Sequence, residues 1–571
     1  MSTRQKHQVV FRISVIILIQ LFLLMDCFWI MKGVLTDNAQ KEQVGTLSPD
    51  LNIGNHRFQN AFHNYHIKAT IGQTNLDASV SFVLKELDSY MKIGDKKLIK
   101  ELEKILRLST NPRDKERVAR KIMGEVVGNE YEQLRLKAFK VIVSSIVSNY
   151  LPNHPSEGEL DCHTHTYLSD AYSTPTDWVR QAYEKEGLIG MAITDHDMFP
   201  GQEAFEAVKI LNDEIDNQNN MDHGTRLHFT LIPGIEITTL QDGVEVHVLL
   251  YLPDYYNDDF NLEEKTEVRG ILSKLFDSEG KTIERIENIK KQINELYPHF
   301  SISEEDIGGV VRGPNIYASA VSDALWERYK DVYPEEFEKL GINNAKYVWY
   351  NLIAKKGLGK RSKEHEKLLP TVEDVLKLAA NLNGRIAIAH PNEIIKQKEG
   401  AFEEILERLA RYVIDKNISP STILGIAYYS HKLRRSGLRG DIKNYVDLLN
   451  NDHPFFKKFN LLFIPESDAH GKFTLSSDPL VSSPLGLQSD YPENKAAYNK
   501  ELLAAIYDKS FLPVSSAQLS QIQQGYKNWQ YRRIKDLRRD TPNSGRGIDD
   551  STPCKKLFLS KEAESFIARA I

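Results

Sequence analysis

Residues 160 to 197 read LDCHTHTYLSDAYSTPTDWVRQAYEKEGLIGMAITDHD. Two short apolar runs, 160–165 and 189–194, flank a segment punctuated as a helix. Thr174 is placed to cap it, Pro175 opens its first turn, Asp177 adds an early acid, and Gly187 stops the run 178–185. Strand, helix, strand in about 35 residues predicts a parallel βαβ unit, since a parallel pair needs a crossover of a dozen residues or more. Both strands end in histidine and acid. His163 and His165 stand two apart on the first strand, so their side chains share a face, with Asp161 in the same parity.

The same alternation continues outward. Further strands are predicted at 229–237, 244–252, 385–389, 423–429 and 461–465, seven in all, with helices between most of them. Thr371 and Gly384 bracket a helix over 372–383. Only about six residues separate the third and fourth strands, too few for a crossover, so that pair is predicted to be a hairpin and the sheet or barrel to be irregular. Residues 254–384 read as a cap, with helices expected at 262–277, 282–296, 316–329 and 334–339. Upstream, 76–150 has helical spacing at 80–91 and 131–150 and no chemical motif, and reads as a packing region.

Chemistry gathers at the strand ends. Asp170 follows His165 in Ser169-Asp170. Ile193-Thr194 runs into Asp195-His196-Asp197. Pro233-Gly234-Ile235-Glu236 puts a carboxylate at the end of an apolar strand, where it is costly unless paired or bound to a cation. His247 interrupts Val246 and Val248, His390 ends Ile386-Ala387-Ile388-Ala389, and Glu466-Ser467-Asp468-Ala469-His470 follows Phe463-Ile464-Pro465. Six of the seventeen histidines lie at or near a strand end. In parallel α/β folds such ends converge on one rim. Six imidazoles and three carboxylates there call for cations, and nine ligands suffice for up to three sites of roughly three protein groups each. Nitrogen and oxygen ligation without thiolate suits Mn²⁺, Fe²⁺ or Zn²⁺ rather than Ca²⁺. The three cysteines, Cys27, Cys162 and Cys554, are too few and scattered for a disulfide framework or a thiolate zinc site.

Taken in order, these motifs resemble the polymerase-and-histidinol-phosphatase (PHP) superfamily. The likeness rests on D-C-H-T-H-T and S-D at 161–170, I-T-D-H-D at 193–197, P-G-I-E at 233–236, V-H-V-L at 246–249, A-H-P at 389–391 and S-D-A-H-G at 467–471. It spans 158–515. The chain has Ser169-Asp170-Ala171 where the family usually has S-D-G, and the cap's recognition residues do not map. The resemblance implies an α/β fold of a distorted seven-stranded (β/α) barrel, a trinuclear metal centre and phosphoesterase activity. Its nine ligands fall on His163, His165, Asp170, His196, Glu236, His247, His390, Asp468 and His470.

The expected reaction is hydrolysis of a phosphomonoester or phosphodiester by a metal-activated hydroxide, on a nucleotide, an oligonucleotide end or a small phosphorylated metabolite. Glu236 is expected to bridge cations, since a carboxylate can span two and an imidazole cannot. Asp195 and Asp197 are candidates to orient ligating histidines. Arg434, Arg435 and Arg439 are candidates to grip phosphate, and His431 to shuttle a proton. Two alternatives stand beside this reading. A metal-dependent amidohydrolase would use two metals and often a carbamylated lysine, and no lysine lies at a strand end. A non-catalytic, metal-stabilised, membrane-tethered module would tolerate loss of ligands, and none is lost.

The flanks add a location. Arg4, Lys6 and Arg12 precede 13–31, 19 mostly apolar residues broken by Asp26, about 28 Å as a helix. Residues 1–34 are therefore expected to be a signal-anchor or a signal peptide, followed by a linker over 35–75. The cationic end would stay in the cytoplasm. The remainder would then lie across the membrane, or be secreted if the segment is cleaved. The polar tail 516–571 carries Arg532, Arg533, Lys535, Arg538 and Arg539 among aromatics, a pattern that fits a solvated helix face. Across 571 residues, 41% are hydrophobic and the net charge is −6. That excludes a disordered chain, a polytopic membrane protein and bulk cationic attraction to nucleic acid. No protein partner is evident.

Overall fold

The computed structural model describes residues 96–149 except 110, 158–257 except 185–186 and 223–225, and 282–470 except 312–316, 430–432 and 434–435. It also describes 494–507 and 520–525 except 523. The chain divides into two units, Met1–Leu76 and Asp77–Ile571, and all described residues belong to the second. The apolar stretch 13–31, the helical runs expected at 80–91 and 262–277, His431, Arg434, Arg435 and the basic tail lie outside the described residues. Among the described residues, no helix is long and apolar enough to cross a membrane.

Seven strands form one sheet in sequence order: β1 Leu160–Thr164, β2 Gly190–Ile193, β3 Thr230–Gln241, β4 Val244–Tyr251, β5 Arg385–Ile388, β6 Ile423–Tyr429 and β7 Leu462–Pro465. β1, β2 and β3 pair in parallel, as do β5, β6 and β7. β4 runs antiparallel to both β3 and β5. The expected hairpin is present, closed by Asp242 (φ 50°) and Gly243 (φ 80°) between the paired Gln241 and Val244. Two left-handed residues in a two-residue loop match the strand twist, which is why Asp-Gly suits it. β3 outruns its expected end at 237 by four residues, because Thr238–Gln241 pair back along β4.

The sheet curls until its edges meet at their carboxyl ends. Thr164 and Ala469 form a parallel bridge, the His165 N–H donates to the Ala469 carbonyl at 2.9 Å, and the Asp468 N–H donates to the His163 carbonyl at 2.9 Å. The interior takes small and apolar side chains from all seven strands, among them Leu160, Cys162, Ala192, Ile232, Leu249, Tyr251, Ala387, Leu424 and Ile464. The outward parity of β4 and β5, including Val248, Leu250, Ile386 and Ile388, packs on the outer helices. Each large side chain removed from water there contributes about 1.5–3 kcal/mol.

Helices in chain order are α1 Lys96–Leu108, α2 Pro112–Glu125, α3 Glu132–Asn149, α4 Pro175–Glu184, α5 Gln202–Asp222, α6 Ala320–Tyr329, α7 Val372–Asn381, α8 Ala401–Lys416, α9 Arg439–Asp452 and α10 Lys495–Tyr507. The Thr174 hydroxyl accepts from the Asp177 N–H at α4 as read from sequence, and Thr371 and Asp374 form a capping box at α7. α10 lies across the amino ends of the strands, with Asn499, Ala505 and Tyr507 hydrogen-bonded to Gly158, Arg385 and Leu231. Between β4 and β5, a helix over 282–296, the short helices Glu304–Gly308 and Pro334–Lys339, and α6 share a separate core around Phe300, Leu325 and Phe337.

Candidate metal centre

The carboxyl rim gathers all nine side chains picked out by the sequence. His163 and His165 leave the end of β1 side by side, their Nε2 atoms 3.0 Å apart. Glu236 reaches between them from β3. Its Oε2 lies 3.0 Å from His163 Nε2, 3.0 Å from His165 Nε2 and 3.2 Å from His196 Nδ1, while Oε1 lies 2.8 Å from His247 Nδ1 and 2.9 Å from His390 Nε2. Asp468 Oδ1 stands 3.3 Å from His165 Nε2, and Asp170 Oδ1 stands 3.1 Å from His470 Nε2 and 3.8 Å from His196 Nε2. His247 joins from the first half of its strand because β4 is reversed, which puts its beginning at the rim where the parallel strands end.

The backbone bends to hold this set. His390 (φ 42°), Asp468 (φ 52°) and Asp197 (φ 50°) adopt left-handed conformations, each costing about 1 kcal/mol or more and typical of functional sites. The Trp178 indole N–H donates to the His165 carbonyl at 2.5 Å, fixing the end of β1. Side-chain exposure rises from nothing at His163, His165 and Glu236 to 16% at His196, 22% at Asp170 and 25% at His470. The cluster therefore has a closed floor and an open lip. The cap overhangs that lip: the Tyr317 hydroxyl donates to the His196 carbonyl at 2.9 Å, and the Tyr172 hydroxyl to Asp323 at 3.1 Å.

Charge in the cluster is strongly redistributed. Burial opposes ionisation of Glu236, yet His196, His163 and His247 hold its carboxyl well below the ordinary range. Burial likewise opposes the Asp170 charge, and His470 and His196 overcome it and hold that carboxyl far down. Glu466 falls to about 2, because His390 and His163 outweigh its burial. Among the imidazoles, burial pushes His196 down to about 3. At His390 burial acts the same way, but Glu466 and Glu236 raise it to about 10.

The donor set fits divalent cations. Ligands about 2.1 Å from one tetrahedral ion lie about 3.4 Å from each other, close to the 3.0–3.8 Å separations among His163, His165, Glu236 and Asp468. Four overlapping groups have ligand atoms within 4.8 Å of one another: His165, Asp170, His196 and His470; His163, His165, Glu236 and Asp468; His163, His390 and Glu466; and His196, Glu236 and His247. His196 Nδ1, which faces Glu236 Oε2 at 3.2 Å, is buried without a hydrogen bond, a cost that a cation between them would explain.

Other predicted roles move. Asp195 does not orient a histidine. Its carboxylate accepts from the Thr166 N–H and hydroxyl, both at 2.7 Å, and from the Ser169 hydroxyl at 2.6 Å, because the 166–169 turn folds back over the end of β2. Asp197 turns instead to β3, accepting from the Thr238 N–H at 3.0 Å, and burial raises its pKa to about 6. Arg439 lies over the rings of Tyr428 and Tyr429 at the end of β6, 4.9 and 5.9 Å away. An acid that does meet the second nitrogen of a cluster histidine is Glu466, 2.9 Å from His163 Nδ1. The test applied to Glu236, an acid closing an apolar strand, applies equally to Pro465-Glu466. The cap adds a second missed pair: Arg361 is ion-paired with Glu245, whose other oxygen lies 3.2 Å from His247 Nε2.

No protein family and no curated protein matches this chain. Among solved structures it is similar to a protein from Bifidobacterium adolescentis to which metal-dependent phosphoesterase activity is provisionally assigned. The two are 20% identical over 61% of this chain and 96% of that one, with a TM-score of 0.39. It is also similar to an amidohydrolase from Chromobacterium violaceum solved with sulfate and no metal, 16% identical over 63% of this chain and 100% of that one, with a TM-score of 0.40. Neither likeness, at that depth, bears on the activity of this chain.

Proposed function

We propose that the chain is a metal-dependent hydrolase of phosphate esters, acting on a nucleotide, an oligonucleotide end or a small phosphorylated metabolite. The observation that carries this reading is the placement of Glu236, whose two oxygens serve different histidines at the centre of overlapping ligand groups. Clustered Mn²⁺, Fe²⁺ or Zn²⁺ would supply a water of lowered pKa, neutralise phosphate oxygens and stabilise the leaving oxygen.

The protein's part is to hold and orient. Glu466 fixes the His163 ring so that Nε2 faces Glu236. The buried floor excludes water from His163, His165 and Glu236, while Asp170, His196 and His470 form the side on which an ester enters. Among the described cationic side chains, Arg361 adjoins the cluster by way of Glu245 and would meet a phosphate there. It is largely buried, its Nε has no hydrogen bond, and its ion pair with Glu245 ties it to His247. The N-terminal segment would place this chemistry at a membrane, on its non-cytoplasmic side, or outside the cell after cleavage.

The test is turnover by the purified full chain, loaded with Mn²⁺, on p-nitrophenyl phosphate, its bis-ester and short oligonucleotides. Hydrolysis of at least one is expected. Glu236→Gln and His165→Ala should abolish it while leaving far-UV circular dichroism unchanged. A metal-loaded, folded chain inert toward all three would contradict the proposal.

A further inference from the structure

The helices over 96–149 contribute no side chain to the cluster, yet one of them reaches the loop that does. Arg135 of α3 is fully buried. Its Nε and Nη2 donate to both oxygens of Glu203 on α5, at 2.7 and 2.5 Å, and its Nη1 donates to the carbonyls of Val126 and Gly128 at 2.8 and 2.9 Å. Nη2 also donates to the Tyr167 hydroxyl at 3.0 Å, and that hydroxyl donates onward to Asn129 Oδ1 at 3.0 Å. Tyr167 stands two residues after His165 and three before Asp170.

The Asp170 side chain faces His470 and His196, so its position depends on the loop that carries it. That loop is folded on itself, with Tyr167 N–H to the Ser173 carbonyl and Ala171 N–H to the Thr166 carbonyl, and its Tyr172 N–H donates to the His470 carbonyl in the segment after β7. It is fastened from outside by Asp195, which accepts from Thr166 and Ser169, by Asp323, which accepts from Tyr172, and at three points on the helical region. Those three are Tyr167 to Arg135 and Asn129, Thr174 to the Met123 carbonyl at 2.5 Å, and, just beyond it, Glu184 to Arg120 at 2.5 and 2.6 Å. Val127 packs against Tyr167 and Leu168 beneath it.

We propose that the N-terminal helices are a clasp for the metal-bearing loop, with Arg135 and Tyr167 as positioning residues that set Asp170. Occupancy of the outermost group, His165, Asp170, His196 and His470, then depends on a region outside the barrel. The proposal rests on the reading of the cluster as a metal centre. It gives the helical region a task, although that region has no chemical motif of its own. It also accounts for a fully buried arginine, whose desolvation is repaid here by five hydrogen bonds.

The experiment is Mn²⁺ titration of the full chain, followed by the resonance of free Mn²⁺ and by metal content after gel filtration. Tyr167→Phe removes the hydroxyl, keeps the ring against Val127, Leu168 and Met198 and leaves the Arg135–Glu203 pair intact. Arg135 itself is left unchanged, since its loss would strand Glu203 and threaten the fold. Tyr167→Phe should weaken the weakest-bound Mn²⁺ about tenfold and leave the others as in the parent. In an Asp170→Ala background the same substitution should change nothing further, because it acts through Asp170. Wild-type loading by Tyr167→Phe, or an equal loss in both backgrounds, would overturn the clasp alone. A parent chain that binds no Mn²⁺ would overturn both the clasp and the metal centre.

Discussion

Glu466 decides which way the His163 ring faces. It is buried and touches both His163 and His390, so Glu466→Gln should leave the fold and the nine ligands in place while loosening their aim. Metal affinity is expected to fall 10–100-fold, measurable by competition with a chelating dye, and an unchanged affinity would remove Glu466 from the account. At this scale the sequence was most informative where a polar group ended an apolar strand. Glu236 announces itself by the cost of its setting, and His390 and Asp468 by their place just after apolar strands. Arg135 and Glu203 do not, because they are 68 positions apart and each sits in a helix where a charge reads as solvated. Asp195 misled for a related reason: an acid beside a histidine suggests pairing with it, but a turn with free N–H and hydroxyl groups lay nearer.

The strands were legible because β-branched and apolar residues alternate or run unbroken between turn signals, and β6 lies where the pattern put it. The far end of β3 was not, since Thr238 to Gln241 are polar enough to read as loop and only the partner strand makes them extended. Two glycines separate the forces that hold this sheet. Gly243 has open space where a methyl group would stand but φ of 80°, so Gly243→Ala should cost only the left-handed penalty, about 1 kcal/mol, by urea denaturation. At Gly425 an added Cβ would lie 2.0 Å from the Leu462 carbonyl oxygen. Gly425→Ala should therefore break the β6–β7 pairing and lose cooperative unfolding. Equal, mild effects at both positions would contradict the described register.

For the whole unit, closure of the sheet and assembly of the cluster are one event. The bonds that join β1 to the segment after β7 involve His163, His165, Asp468 and Ala469, so the ligands meet where the barrel closes. The cap and the helical region each reach the residues around the lip, through Tyr317 and Tyr167. All of it depends on cations being held around Glu236. The direct measurement is a crystal structure of the Mn²⁺-soaked full chain with anomalous scattering recorded above and below the manganese edge. We predict more than one peak within the cluster, with the two Glu236 oxygens bound to different ions. Peaks absent from the cluster, or a single ion that Glu236 does not touch, would contradict it.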